Sequence, residues 1–331
     1  MTQQRFISPA ARWAVVASTA FALGCSSTDF ESVSEISKTR LISLIATPPE
    51  VAPGETMEVD GTIARPSSVT GPLYYEWTLC LFDEGPSGFY RCAEEIEGLP
   101  IDNILARSTD AQLVFEQDVL TDEELVTACD LLKNISQSAQ VPPEFAASLP
   151  RCVVGLPVRL RLKVCEGAPS CADADAQIAS TKVQLLFDEQ AQRTDRNMNP
   201  TIQTLVLAGQ LIPEDEPLEV QVEAPDTELD ISIGATVAEA AQRFTPVAED
   251  NANPDEEREE LQSDWYSTAG KLKGSRRFYR EGSTTDEEFT ENKITFVFDE
   301  VEDGQIVNIW VTLRDSRGGN AAIQRQILLR K

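Results

Sequence analysis

Histidine is absent from all 331 residues. With it go the Ser-His-Asp and Cys-His nucleophile systems, the usual zinc sites and the HExxH metalloproteases, all of which need an imidazole as base or ligand. No GxSxG, Walker or GxGxxG pattern occurs either, so the common nucleophile elbows and phosphate-cradling loops are missing. Paired carboxylates can hydrolyse a glycoside, but among 55 acidic residues the sequence singles out no pair. The expectation is a non-enzymatic protein with no catalytic residue, no metal ligand set and no cofactor.

Basic residues are also scarce. Lys and Arg total 28 against 55 acids, a formal net charge of −27. A phosphate backbone is held by clustered Lys and Arg, so nucleic acid is not an expected partner, and the negative charge reads first as solvation. Long apolar runs are missing too. The N-terminal run Trp13–Leu23 spans eleven residues, short of the roughly 20 a membrane-crossing helix needs.

What the N-terminus does have is the layout of an export signal: Arg5 and Arg12, then that apolar run, then Gly24 and Cys25. The junction Ala22-Leu23-Gly24-Cys25 resembles the lipobox of bacterial lipoproteins, although leucine is commoner where this chain has Ala22. The resemblance implies cleavage after Gly24 and a diacylglycerol on the Cys25 thiol. The other reading is an ordinary signal peptide whose Cys25 joins a disulfide. Ser26, which is not Asp, implies by the same resemblance sorting to the outer membrane. The partners expected are the membrane through the N-terminal lipid, and envelope proteins or surface glycans. Removing residues 1–24 takes away Arg5 and Arg12 and no acid, so −27 becomes −29.

Cysteine parity agrees with an acylated Cys25. Seven cysteines less one leave Cys80, Cys92, Cys129, Cys152, Cys165 and Cys171, and an exported chain favours disulfides over thiols. Six cysteines allow fifteen pairings. Order along the chain favours neighbours, Cys80 with Cys92, Cys129 with Cys152 and Cys165 with Cys171, because each pair closes a loop between candidate elements.

Residues 25–39 are polar and aperiodic, a flexible tether by composition. Length predicts two domains beyond it, 40–190 and 191–331, with the polar stretch Glu189–Pro200 as boundary. Pro53-Gly54 separates two apolar stretches as a turn. In Leu73–Cys80 the residues Leu73, Tyr75, Trp77 and Leu79 share a face; in the strand ending at Cys165, Val158, Leu160, Leu162 and Val164 do, with Arg159, Arg161 and Lys163 opposite. This alternation predicts antiparallel strands solvated on one side. Between them Thr121–Ala139 changes period. Thr121 and Glu124 form a capping-box pattern, and Leu125, Ala128, Leu132 and Ile135 a stripe, so a helical insert, about 100–152, is expected to project from the sandwich edge, stapled by Cys129 and Cys152.

The second half supplies further apolar runs. Lys293–Asp299 and Gln305–Asp315 flank Asp303-Gly304, a hairpin signal, and Gly318-Gly319 turns the chain before the last strand. A strand with a central tryptophan recurs, Trp77 and then Trp265, though no exact period supports a repeat.

The stretch PPEVAPGETMEVDGTI followed by LYYEWTLC resembles immunoglobulin-like modules in lipoproteins of myxobacteria and related bacteria. The tail VNIWVTLRDSRGGNAAIQRQILL is similar to the last hairpin of immunoglobulin-like or polycystic-kidney-disease-type domains. The resemblance implies a mainly β fold of two antiparallel immunoglobulin-like β-sandwich domains, the first with a short helical insert, at the cell envelope. It carries no activity, since such folds host many functions.

Three features raise a ligand-binding alternative. Trp310 falls on the face of its strand opposite Val307, Ile309, Val311 and Leu313, making it a candidate contact anchor for protein or sugar, unless a neighbouring loop or domain covers it. Asp173 and Asp175 in DADA, and the acidic stretch Glu249–Asp264, offer closely spaced oxygen ligands of the kind calcium prefers, though neither has an EF-hand loop and a solvated acidic loop is the plainer reading. The sequence thus points to a lipid-anchored structural, adhesive or complex-assembling module, with an extracytoplasmic carbohydrate- or calcium-binding protein as the alternative.

Overall fold

The computed structural model describes residues 34–66, 68–80, 90–92, 107–108, 110, 112–116, 121–137, 152–223, 225–234, 240–245 and 257–331. Cys25 and residues 249–256 of the acidic stretch 249–264, Asp250 among them, lie outside them.

The alternation noted in the first half produces strands β1 (Arg40–Thr47), β2 (Glu50–Val51), β3 (Thr56–Ala64), β4 (Leu73–Cys80), β5 (Arg107–Ser108), β6 (Gln112–Glu116), helix α1 (Asp122–Gln137), β7 (Gly155–Glu166) and β8 (Gln177–Leu186). A sheet ordered β1-β3-β6 and another ordered β2-β8-β7-β4-β5 close over one apolar core that contains Val59, Trp77, Phe115, Leu160 and Leu185. The second half gives β9 (Leu205–Leu207), β10 (Gln210–Leu211), β11 (Leu218–Gln221), β12 (Asp226–Ile233), β13 (Arg243–Phe244), β14 (Glu257–Arg258), β15 (Leu261–Ser267), β16 (Lys271–Leu272), β17 (Arg276–Tyr279), helix α2 (Asp286–Thr290), β18 (Glu291–Val297), β19 (Ile306–Asp315) and β20 (Asn320–Arg330). Its two main sheets run β10-β9-β12-β18-β16 and β11-β20-β19-β15-β17, around Leu207, Trp265, Phe296, Ile309 and Ile327. The protein is mainly β, built of two β-sandwich lobes with a short helix in the first.

Sheet order makes the repeat visible. In each lobe one five-stranded sheet starts with a short strand paired in parallel to the last strand, β2 on β8 and β11 on β20, while the other strand pairs are antiparallel. Trp77 on β4 and Trp265 on β15 occupy equivalent strands of the two sheets, both fully buried. Each indole N–H is satisfied, Trp77 Nε1 donating to the Asp110 carbonyl at 2.9 Å and Trp265 Nε1 to Ser263 Oγ at 3.1 Å, as buried tryptophan requires.

The helix starts where the capping pattern places it. The Thr121 backbone N–H donates to Glu124 Oε2 at 2.8 Å and the Glu124 N–H to Thr121 Oγ1 at 3.3 Å, satisfying two otherwise orphaned donors. It does not project from the edge. Leu125, Ala128 and Leu132 are buried in the first lobe's core; burial of each leucine contributes about 2 kcal/mol, which exposure at an edge would forfeit. The Cys129–Cys152 bridge is present, as are Cys80–Cys92 and Cys165–Cys171.

Three further expectations are corrected. Strands β18 and β19 form no hairpin, because β18 pairs with β12 and β16 in one sheet and β19 with β15 and β20 in the other. Gly304, at φ 80°, still makes a turn, but the chain uses it to cross between sheets, with Val301 buried on the way. The polar face of β7 is not solvated at its centre. Arg161 is 5% exposed, and Asp173 lies over it. Finally, residues 34–39 are not a free tether. Ser34, Ile36 and Thr39 are buried, and Ile36 N–H donates to the Ser267 carbonyl at 2.8 Å while Ser267 N–H donates to the Ser34 carbonyl at 2.8 Å. β17 pairs with β15 only through Asp264, which leaves the edge at Ser267 to accept this added segment.

Candidate functional site: a charged seam between the lobes

Ser34–Lys331 forms a single compact unit, and a set of linked charged groups lies where the lobes meet. The 188–200 connection, polar enough to suggest a loose boundary, is fastened on both sides. Arg196 extends to the first lobe, where Nη1 donates to Glu55 Oε1 at 2.8 Å and Nη2 to the Glu50 carbonyl at 2.7 Å. Asn199 Nδ2 donates to the Ala46 carbonyl at 2.8 Å, and its Oδ1 accepts the Asn320 N–H of the second lobe at 3.0 Å. The Met198 N–H donates to Gln242 Oε1 at 3.0 Å.

Arg317 is the hub. It sits in the turn before β20, held by Asp315, whose Oδ1 accepts the backbone N–H groups of Arg317, Gly318 and Gly319 at 2.8, 2.7 and 2.8 Å. The turn needs glycine: Gly318 has φ 111°, and a Cβ on Gly319 would stand 2.1 Å from Asp315 Oδ2. From here Arg317 Nη2 donates to Glu50 Oε1 at 3.0 Å and to the Asp195 carbonyl at 2.9 Å, and Nη1 to Glu259 Oε1 at 3.3 Å. Its guanidinium carbon lies 4.7 Å from the centre of the Phe244 ring, a cation–π distance. One side chain therefore joins the first lobe, the connection and the second lobe.

The acids around it are unusual in their burial. Glu50 is 6% and Glu259 1% exposed. Burial, then the neighbouring Asp315 carboxylate, push the Glu259 carboxyl up to about 7, against the Gln242 N–H and Arg317, which favour the charged form. Burial likewise raises Asp315 despite its three N–H donors. At the seam's exposed end Glu55 goes the other way, its hydrogen bonds from Arg196 outweighing burial.

Open grooves flank Met198, which is 62% exposed. One, of about 500 Å³, is lined by Pro48, Glu55, Arg193 and Arg196; the other, of about 340 Å³, by Ala240, Gln242, Arg243 and Arg258. Glu55, Arg196 and Gln242 are already engaged within the seam, and Arg193 with Asp195 at 3.0 Å. The grooves present no opposed pair of carboxylates of the kind glycoside hydrolysis uses.

No protein-family model matches the chain, and no curated protein is significantly similar to it in sequence. Among solved structures, a bacterial ice-binding adhesin described for host cell surface retention is 9% identical, with 89% of this chain and 66% of that one covered and a TM-score of 0.21. A Salmonella alpha-2-macroglobulin mutant is 11% identical, with 91% and 15% covered and a TM-score of 0.19. Similarity at this level carries no argument about what this chain does.

The residues singled out for ligand binding are placed elsewhere. Trp310 is not a contact anchor: it is 1% exposed, in a satellite apolar cluster with Ile36, Ile42, Ala64 and Tyr266. The face it occupies is indeed opposite the sandwich core, but the first lobe and residues 34–36 cover it. Asp173 is spent on its own lobe, with Oδ1 2.7 Å from Lys163 Nζ and Oδ2 3.2 Å from Arg161 Nη2. Those hydrogen bonds, Lys163 first, hold its carboxyl below the ordinary value against burial. Asp264, at the end of the acidic stretch, is 3% exposed and pairs with Arg276 Nε at 2.6 Å. Glu259 belongs to the acidic stretch 249–264 and is spent on Arg317; Glu50 and Arg317 carry no periodicity that marks them, and the local signal is the Gly318-Gly319 turn that positions Arg317.

Proposed function

We propose that this chain is a lipid-anchored cell-envelope protein acting as a non-enzymatic structural, adhesive or complex-assembling module. The observation that carries the reading is the seam: two sandwiches are welded by Arg196, Asn199 and Arg317 and by the cluster around Trp310. Such an arrangement suits a body that must hold two surfaces at a set relation, whereas ligand-closing proteins commonly keep a hinge. Three disulfides support an oxidising compartment, and the Cys25 junction supplies the anchor, at the outer membrane by its Ser26. Envelope proteins or surface glycans are the partners of this reading.

The test is the intact mass of the membrane-extracted protein and of Cys25→Ala, each with detergent partitioning, followed by cross-linking in the native envelope. A diacylglycerol-sized gain and partitioning, both lost in the variant, support the anchor; a soluble, unacylated native protein overturns it. Recurrent cross-links to one envelope component support the assembling role. Glycosidase or other hydrolytic turnover by the purified protein would refute the non-enzymatic reading.

A further inference from the structure

We propose that the seam is a pH-responsive lock in which Glu259, buried against Arg317, loosens the contact between the lobes when it ionises. The inference stands on the geometry of the hub and does not depend on where the chain is anchored. Arg317 is shared between Glu50 of the first lobe and Glu259 of the second, one cation between two carboxylates. Asp315, in the same turn, brings a third acid close to Glu259. Among the described residues, the other neighbours of Glu259 are the Gln242 backbone, whose N–H donates to Oε2 at 3.1 Å and whose carbonyl accepts the Glu259 N–H at 3.0 Å, and Arg258 next in the chain, turned toward Glu281 at 3.6 Å. Glu50 also acts on Lys182 and Arg196, whereas the groups that favour the charged form of Glu259 are the Gln242 N–H and Arg317.

With Glu259 neutral, Arg317 serves Glu50 undivided and the seam encloses one charge fewer. With Glu259 ionised, a second carboxylate at 1% exposure competes for the same guanidinium, and the cheapest relief is to let water reach it by parting the seam. Burial and Asp315 place this change at about 7. The sign is fixed by linkage: a carboxyl that holds its proton more tightly when enclosed favours the closed seam at low pH and the open one at high pH. The apolar cluster around Trp310 and the Ile36–Ser267 hydrogen bonds lie elsewhere on the contact, so the motion is a local parting around the Arg317 turn and not dissociation of the lobes.

The test is amide hydrogen exchange of the full-length protein between pH 5.5 and 8, corrected for intrinsic rates. The Gln242 and Arg317–Asn320 amides report the seam, and amides of Trp265 and Val311 report the core. Linkage through a carboxyl moving from 4.5 to about 7 predicts a rise in seam opening of roughly 10-fold or more, with core protection unchanged. Glu259→Gln should abolish the rise; Glu50→Gln, which frees Arg317 for Glu259, should shrink it and lower its midpoint. Seam protection that is flat with pH in the native protein overturns the proposal. So does a rise of the same size in Glu259→Gln, or one shared equally by the core amides. Should Glu259→Gln fail to fold, the native profile and Glu50→Gln decide the matter.

Discussion

Arg196 and Glu55 are 141 residues apart in sequence and meet in a two-pronged ion pair, with Arg196 Nη1 donating to Glu55 Oε1 at 2.8 Å. The pair is partly exposed, the Glu55 side chain at 41%, so solvent screens it and its coupling is expected at about 1 kcal/mol. A double-mutant cycle of Arg196→Ala and Glu55→Gln in urea unfolding measures it. Because the Glu55 carboxyl is held below its ordinary 4.5, this contribution is present above pH 4.5 and lost as pH falls through the folded value. Glu259 has the opposite sense, its contribution falling as pH rises from 4.5 through about 7. From these two groups stability against pH should therefore peak near pH 4.5 and decline toward about 7, and Glu259→Gln should flatten the decline on the alkaline side.

Trp310 distinguishes a buried weld from a binding surface. Truncating a fully enclosed tryptophan removes its contacts and leaves a cavity, so Trp310→Ala is expected to cost about 3–5 kcal/mol, and Ile36→Ala in the same cluster about 2–4 kcal/mol. An exposed contact residue would cost within about 0.5 kcal/mol. Urea midpoints of the two variants against the native protein give the answer, and a negligible shift for Trp310→Ala would mean the lobes do not cover it in solution.

What the sequence makes legible follows the reach of each physical signal. Alternation along Val158–Val164 and the capping box at Thr121 and Glu124 are local, and the strand and helix they imply are there. The Asp303-Gly304 turn is real, but a turn signal does not say whether its strands share a sheet. Trp310 shows the same limit in another form. Periodicity correctly separates it from Val307 and Ile309, yet both faces of β19 are buried, and only the second lobe's partner decides that. The seam is least legible of all, because Glu50, Glu259 and Arg317 are a few charges among many in an acid-rich chain and become a site only through contacts up to 267 residues apart.

The bridge Cys129–Cys152 spans 23 residues and ties the helix to the start of the long strand β7; Cys165–Cys171 spans 6. Loop-closure entropy grows with the logarithm of span, giving about 3.4 kcal/mol for the first and about 2.4 kcal/mol for the second. Replacing both cysteines of each pair by alanine should therefore lower stability more for Cys129 and Cys152. Far-ultraviolet circular dichroism should also show earlier loss of the helical signal in that variant; equal losses for both pairs would count against the entropic account.

Asp173 separates an ion-paired strand cover from a cation site. It offers its two oxygens to Lys163 and Arg161, whose side chains are 13% and 6% exposed. Asp173→Asn removes the charge that offsets them, and a pair between the surface and buried limits is worth about 1–2 kcal/mol. The loss should appear at pH 7 and shrink only below pH 3.8, as the native carboxyl is protonated through its depressed value. A calcium site built on the same carboxylate predicts something different: millimolar calcium would raise the thermal midpoint of the native protein and leave Asp173→Asn unmoved. The ion-paired geometry predicts no calcium shift attributable to Asp173 in either protein, since binding there requires displacing a Lys163 ammonium already 2.7 Å from the oxygen.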